Sequence, residues 1–233
     1  MPRLFSPRSQ PSEEDVEDYI WHLRQVHAIQ TRKIVNRRGT AKPRLQGDIA
    51  GKMERLGKTV VLVGMMGAGK TAVGTQLARL LGVPFRDSDE EIVRAAQRSI
   101  AEIFERDGEP FFRARETEVL TRLVRGPPCV LSTGGGAFLA ATNRAVIAAS
   151  GISVWLRADL DLLWNRVRHK TTRPLLRTAN PRETLRGLYE ARVPIYALAD
   201  LTVDSAPELS VEDMALRVVE ALRSRADVLE RID

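Results

Sequence analysis

The stretch Gly64-Met65-Met66-Gly67-Ala68-Gly69-Lys70-Thr71 constrains this chain more than any other. Its spacing is G-x-x-x-x-G-K-[ST]. The five residues before it, Thr59-Val60-Val61-Leu62-Val63, are a short β-branched apolar run and predict a buried strand. After it, Ala72, Val73, Leu77, Leu80 and Leu81 recur at helical spacing and stop at Gly82. Strand, glycine loop and helix in that order predict a phosphate-binding turn. Glycines let the backbone aim successive N–H groups inward, and the helix N-terminus adds its positive dipole end. Gly67, Ala68, Gly69, Lys70, Thr71 and Ala72 are then the expected nucleotide contacts. Lys70 would reach the β- and γ-phosphates, and the Thr71 hydroxyl would ligate one Mg²⁺ ion. The bland alternative is a glycine-rich turn with incidental Lys and Thr, which the flanking strand and helix disfavour.

The charge balance narrows the partners. The 233 residues carry a net charge of +6, but residues 1–58 hold 12 Lys/Arg against 7 Asp/Glu. Residues 59–233 hold 24 against 23 and are nearly neutral, which argues against the domain being a nucleic-acid binder. No apolar run has the length of a membrane span, no secretory apolar segment follows Met1, and Cys129 is the one cysteine. These features predict a cytoplasmic protein without disulfides or membrane contact.

In chain order, residues 1–57 are expected to be an N-terminal extension. Residues 1–15 read as disordered, residues 16–35 carry one helical apolar stripe, and residues 36–57 read as a basic linker. Residues 58–226 form the expected domain and residues 227–233 a tail. Within the domain, strands at 59–63, 83–87, 129–132, 152–156 and 201–203 alternate with helices, the signature of an α/β parallel sheet covered on both faces. Ser99-Ile100-Ala101-Glu102 predicts a capping box, and Gly108 predicts the end of the helix it opens. Asp87, the 134–136 glycine triplet and the phosphate loop all fall just beyond strand carboxyl ends, the edge where open α/β sheets bind ligands.

Five further stretches name an acceptor. They are Asp87-Ser88-Asp89, Phe112-Arg113-Ala114-Arg115-Glu116, Gly134-Gly135-Gly136-Ala137, Arg173-Pro174-Leu175-Leu176 and Ala191-Arg192-Val193-Pro194-Ile195-Tyr196. In order and spacing they make residues 58–225 resemble a shikimate kinase. That resemblance implies a three-layer P-loop fold with a five-stranded parallel sheet of order 2-3-1-4-5 and a mobile lid at 169–180. It implies ATP and shikimate as substrates, Mg²⁺ with the ATP, and a monomer acting in aromatic amino acid biosynthesis. It also implies residue roles. Arg113 and Arg192 grip the carboxylate, Asp89 contacts the phosphorylated hydroxyl, and Gly134, Gly135 and Gly136 approach the substrate. Asp87 holds the Mg²⁺ shell through water, Arg166 stacks on adenine, and Arg173 closes on the phosphates. Lys70, Asp89 and Arg173 form the implied catalytic set.

The chemistry is consistent with those roles. A carboxylate suits a guanidinium fork, and hydroxyls suit a carboxylate acceptor beside close backbone N–H groups. Each residue also has a plainer reading. Arg113 and Arg192 lie near glutamates and fit ordinary surface ion pairs, Asp89 fits a helix N-terminal acid, and Arg166 fits a solvated helix arginine. Strand 129–132 ends in Ser132-Thr133 without the acid usual in a Walker B strand, a lack the shikimate kinases share. The alternatives are a gluconate or nucleoside-monophosphate kinase of the same fold, and a transcriptional regulator with a related effector domain.

Overall fold

A computed structural model describes residues 53–169, 176 and 178–232. The expected helix at 16–35, the basic linker up to 52 and most of the expected lid, including Arg173, lie outside the described residues. Among the described residues fifteen elements follow one another: β1 (Met53–Leu56), β2 (Thr59–Val63), α1 (Lys70–Leu81), β3 (Phe85–Asp87), α2 (Ser88–Ala96) and α3 (Ile100–Arg125). Then come β4 (Val130–Ser132), a 3₁₀ turn (Ala137–Leu139), α4 (Ala141–Ser150), β5 (Gly151–Arg157), α5 (Leu160–Val167), α6 (Pro181–Tyr196), β6 (Leu201–Asp204), α7 (Val211–Arg223) and β7 (Leu229–Ile232).

Five of the strands form one parallel sheet in the order β3-β4-β2-β5-β6. Numbered within that sheet alone, the order is the expected 2-3-1-4-5. The central strand β2 is buried at every residue, so it reads as a continuous apolar run instead of alternating. Helices α1 and α7 pack on each other, as do α3 and α4. The right-handed rule for crossovers between parallel strands assigns the two pairs to opposite faces of the sheet.

Two features of the α2–α3 region matter for the site. The Ser99 capping box forms as expected, with Glu102 Oε2 accepting from Ser99 N at 2.7 Å. Gly108, at φ 78° and ψ 172°, then breaks α3 into two helices, and Pro110 opens the second. A satellite core of Ile92, Ile100, Ile103, Phe104, Phe112 and Val119 fills the space between them. Phe112 is fully buried with its ring centroid 4.6 Å from that of Phe104, which fixes the backbone beside Arg113.

Residues 53–56 and 229–232, read from the sequence as linker and tail, are strands. They pair antiparallel, with Arg55 opposite Glu230 and Leu56 opposite Leu229. Leu56, Val228 and Leu229 are buried against the main core, so the chain enters and leaves the domain side by side. Ion pairs Arg55–Glu230 (2.7 Å), Lys58–Asp227 (2.6 Å) and Arg223–Glu54 (2.9 Å) line the junction.

Candidate active site

The donor half grows from β2. Gly64 leaves the strand, and the loop delivers Gly69 as the N-cap of α1 at φ 93°. That residue offers no side chain to cap the helix, and the first turn of α1 holds no acid. The N-terminal N–H groups and dipole are left to face an anion. Gly67 is forced by space as well as angle. At φ +85°, a Cβ there would stand 2.8 Å from Val167 Cγ1 at the end of α5. Helix α5 thus lies against the loop, and Arg166 Nη1 donates to Gly67 O at 3.4 Å. Lys70 Nζ spans the loop, donating to Gly64 O at 2.7 Å and Met65 O at 3.2 Å. Ala68 is buried, while Thr71 and Ala72 stand at the start of α1.

The acid pair comes from the end of β3. Asp87 caps α2, its Oδ1 accepting from Asp89 N at 3.0 Å. The Lys70 charge acts on both carboxylates. Burial raises the Asp87 carboxyl above its ordinary range, against the pull of the Asp89 N–H. Burial also pushes Asp89 up, to about 7, with the neighbouring Asp87 and Glu116 carboxylates adding to it and Arg113 and Lys70 opposing. Removing a carboxylate from water while ringing it with like charges favours its neutral form.

The 134–136 triplet supplies a floor on which the other side chains converge. A Cβ on Gly134 would stand 3.0 Å from Asp89 Oδ1, one on Gly136 3.2 Å from Arg113 Nη1, and one on Gly135 3.6 Å from Arg192 Nη1. Each glycine therefore faces a different candidate acceptor residue, drawn from α2, α3 and α6. The triplet is held by Ser88 Oγ, which accepts from Gly134 N at 3.3 Å, and by Tyr196, whose hydroxyl donates to Gly135 O at 2.8 Å. Thr133, just before it, donates to Leu62 O at 3.1 Å and ties the floor to β2.

Arg113 makes the ion pairs of its plainer reading and also lies within the cluster. Its guanidinium pairs with Glu116 at 3.0 Å and Glu109 at 3.2 Å, yet it also stands over Gly136 within the cluster. Glu116 is nearly inaccessible and burial raises its pKa, so the pair is more than a surface contact. Sequence reasoning did not select Glu116, Ser88 or Tyr196 as site residues. The signal was present in their spacing: Glu116 is three residues from Arg113 and Tyr196 four from Arg192, each on one helix face. Arg173 lies outside the described residues.

A family model described as shikimate kinase matches residues 66–223. The chain belongs to the shikimate kinase family. It is 72% identical over 178 residues to the shikimate kinase of Cereibacter sphaeroides, covering 76% of this chain and 89% of that one. The shikimate kinase of Ruegeria pomeroyi is 68% identical over 182 residues, covering 78% and 93%. Among solved structures, shikimate kinase from Acinetobacter baumannii in complex with shikimate superposes with a TM-score of 0.64 at 42% identity, covering 72% of this chain and 93% of that one. This family membership accounts for the sheet order and the phosphate loop together.

Proposed function

We propose that this chain transfers the γ-phosphoryl group of ATP to the 3-hydroxyl of shikimate, releasing ADP and shikimate 3-phosphate. The observation that carries the reading is the convergence of Asp89, Arg113 and Arg192 on three successive glycines beside the phosphate loop. Shikimate presents a carboxylate and hydroxyls on a rigid ring. Two guanidinium groups at one end and a carboxylate at the other match that pattern, and bare glycine backbone allows close approach.

Arg113 and Arg192 take the substrate carboxylate. Glu116, through Nη1, and Glu109, through Nε and Nη2, hold the Arg113 guanidinium beside Gly136. Asp89 accepts a hydrogen bond from the 3-hydroxyl. The hydroxyl oxygen then attacks the γ-phosphorus, its proton passes to Asp89, and the bond to the β–γ bridging oxygen breaks to leave ADP. A carboxyl poised at about 7 is well matched to taking that proton near neutral pH. Lys70 turns from the loop carbonyls to the β- and γ-phosphates, and Arg166 borders the nucleotide beside Gly67. The role of Arg173 as an internal arginine finger rests on the family resemblance alone.

The donor set suits Mg²⁺. The Thr71 hydroxyl at the start of α1 is a hard oxygen ligand, the Asp87 carboxylate at the end of β3 would hold the ion's water shell, and the remaining places suit water and phosphate oxygens. Bound there, the ion would neutralise charge on the phosphates. Asp87, raised by burial, would return to its ionised form beside a cation. We place the enzyme in the cytoplasm as a monomer. The buried lone Cys129 and the lack of a membrane-length apolar helix among the described residues support that location.

The test is ADP release by the purified full chain with shikimate, D-gluconate or a nucleoside monophosphate as acceptor. Release that depends on shikimate supports the reading. Release with gluconate or the monophosphate alone moves the chain to the corresponding alternative.

A further inference from the structure

Tyr196 lies at the last residue of α6, one turn beyond Arg192, and is 1% exposed. Its ring packs against Trp155 of β5, with centroids 6.3 Å apart and planes inclined by 30°. Only its hydroxyl reaches the site, where it donates to Gly135 O at 2.8 Å. That carbonyl belongs to the middle residue of the floor, the one facing Arg192. The Arg192 charge acts on the same phenol, opposing the rise that burial gives it. A phenol has one proton to donate and lone pairs to offer. With its proton committed to Gly135 O, the lone pairs are left facing the guanidinium.

We infer that Tyr196 is a positioning residue for acceptor recognition: its hydroxyl fixes the height of the glycine floor and the aim of Arg192, and so sets selectivity for a carboxylate-bearing substrate. The inference rests on the proposed shikimate kinase activity. The ring is anchored in the sheet through Trp155, so the hydroxyl acts as a fixed strut between rigid β5 and the turn after β4. Without that strut, Gly135 loses its tether to α6 and Arg192 loses its oriented neighbour. The donor half of the site has no contact with this phenol among the described hydrogen bonds, so ATP handling is independent of it.

The experiment is steady-state kinetics on the full chain carrying Tyr196→Phe, Arg192→Lys or both, with thermal melting as the folding control. Tyr196→Phe should melt within a few degrees of the wild type and raise KM for shikimate about tenfold, leaving KM for ATP unmoved. In the Arg192→Lys background the same change should add less than about threefold, because its route through Arg192 is already cut. A purely structural role predicts equal change in both KM values, or full additivity with Arg192→Lys, and either result overturns the inference. An unchanged KM for shikimate overturns it as well. A wild type that releases no ADP with shikimate, by contrast, overturns the underlying activity first and this inference with it.

Discussion

Gly134 and Asp89 meet so closely that a methyl group on the glycine would stand 3.0 Å from Asp89 Oδ1. Gly134→Ala keeps an allowed backbone but forces the carboxylate aside by a few tenths of an ångström. A misplaced acceptor group should lower kcat about tenfold, with ATP binding retained. The check is kcat alongside a nucleotide-binding titration.

Asp89 gathers the electrostatics of the acceptor half, being raised by burial and by Asp87 and Glu116. Asp89→Asn keeps the shape and removes the proton acceptor. Turnover should fall about a hundredfold or more while ATP affinity stays within a few-fold. Single-turnover phosphoryl transfer measures this; unchanged turnover removes Asp89 from the reaction.

Arg113 makes paired contacts to Glu109 and Glu116 while covering Gly136. Arg113→Lys keeps the charge and loses the planar fork. The loss should appear mainly as a rise of about tenfold or more in KM for shikimate, since charge-assisted hydrogen bonds contribute about 1.5–3 kcal/mol. A fall confined to kcat would place Arg113 on the phosphoryl group instead.

Asp227, at the approach to β7, is held well below the usual carboxylate range by hydrogen bonds from Arg225 and Lys58. A carboxyl whose folded pKa is depressed adds stability above its unfolded value of about 3.9 and loses it as the pH falls toward the folded value. The melting-temperature gap between wild type and Asp227→Asn should therefore be open at pH 7 and close progressively below about pH 4. A gap that persists undiminished in acid would mean the contact stabilises through its shape and not its charge.

Much of the domain was legible in the sequence because its signals are local. The phosphate loop is flanked by its own strand and helix, and the Ser99 capping box and the Gly108 break act within a few residues. Helix Pro181–Tyr196 opens on local signals too, with Asn180 as its cap and a proline in its first turn. The β1–β7 ribbon was hidden for the opposite reason. Its strands are four residues long, mix charged and apolar side chains, and find their partners at opposite ends of the described domain, as Arg55 finds Glu230, 175 residues on. Neither has a meaning until the sheet between them is folded. The site divides in the same way. Its charged residues stood out by type, whereas the near-neutral pKa of Asp89 needs Asp87 and Glu116 brought together. The strut from Tyr196 needs a glycine turn from a distant strand.

The most direct measurement is a crystal structure of the full chain with shikimate and ADP bound. The account predicts the shikimate carboxylate between Arg113 and Arg192, the ring over Gly134, Gly135 and Gly136, and the 3-hydroxyl within hydrogen-bonding distance of Asp89, facing Lys70 and the phosphates. A carboxylate bound away from both arginines, or a 3-hydroxyl out of reach of Asp89, would contradict it.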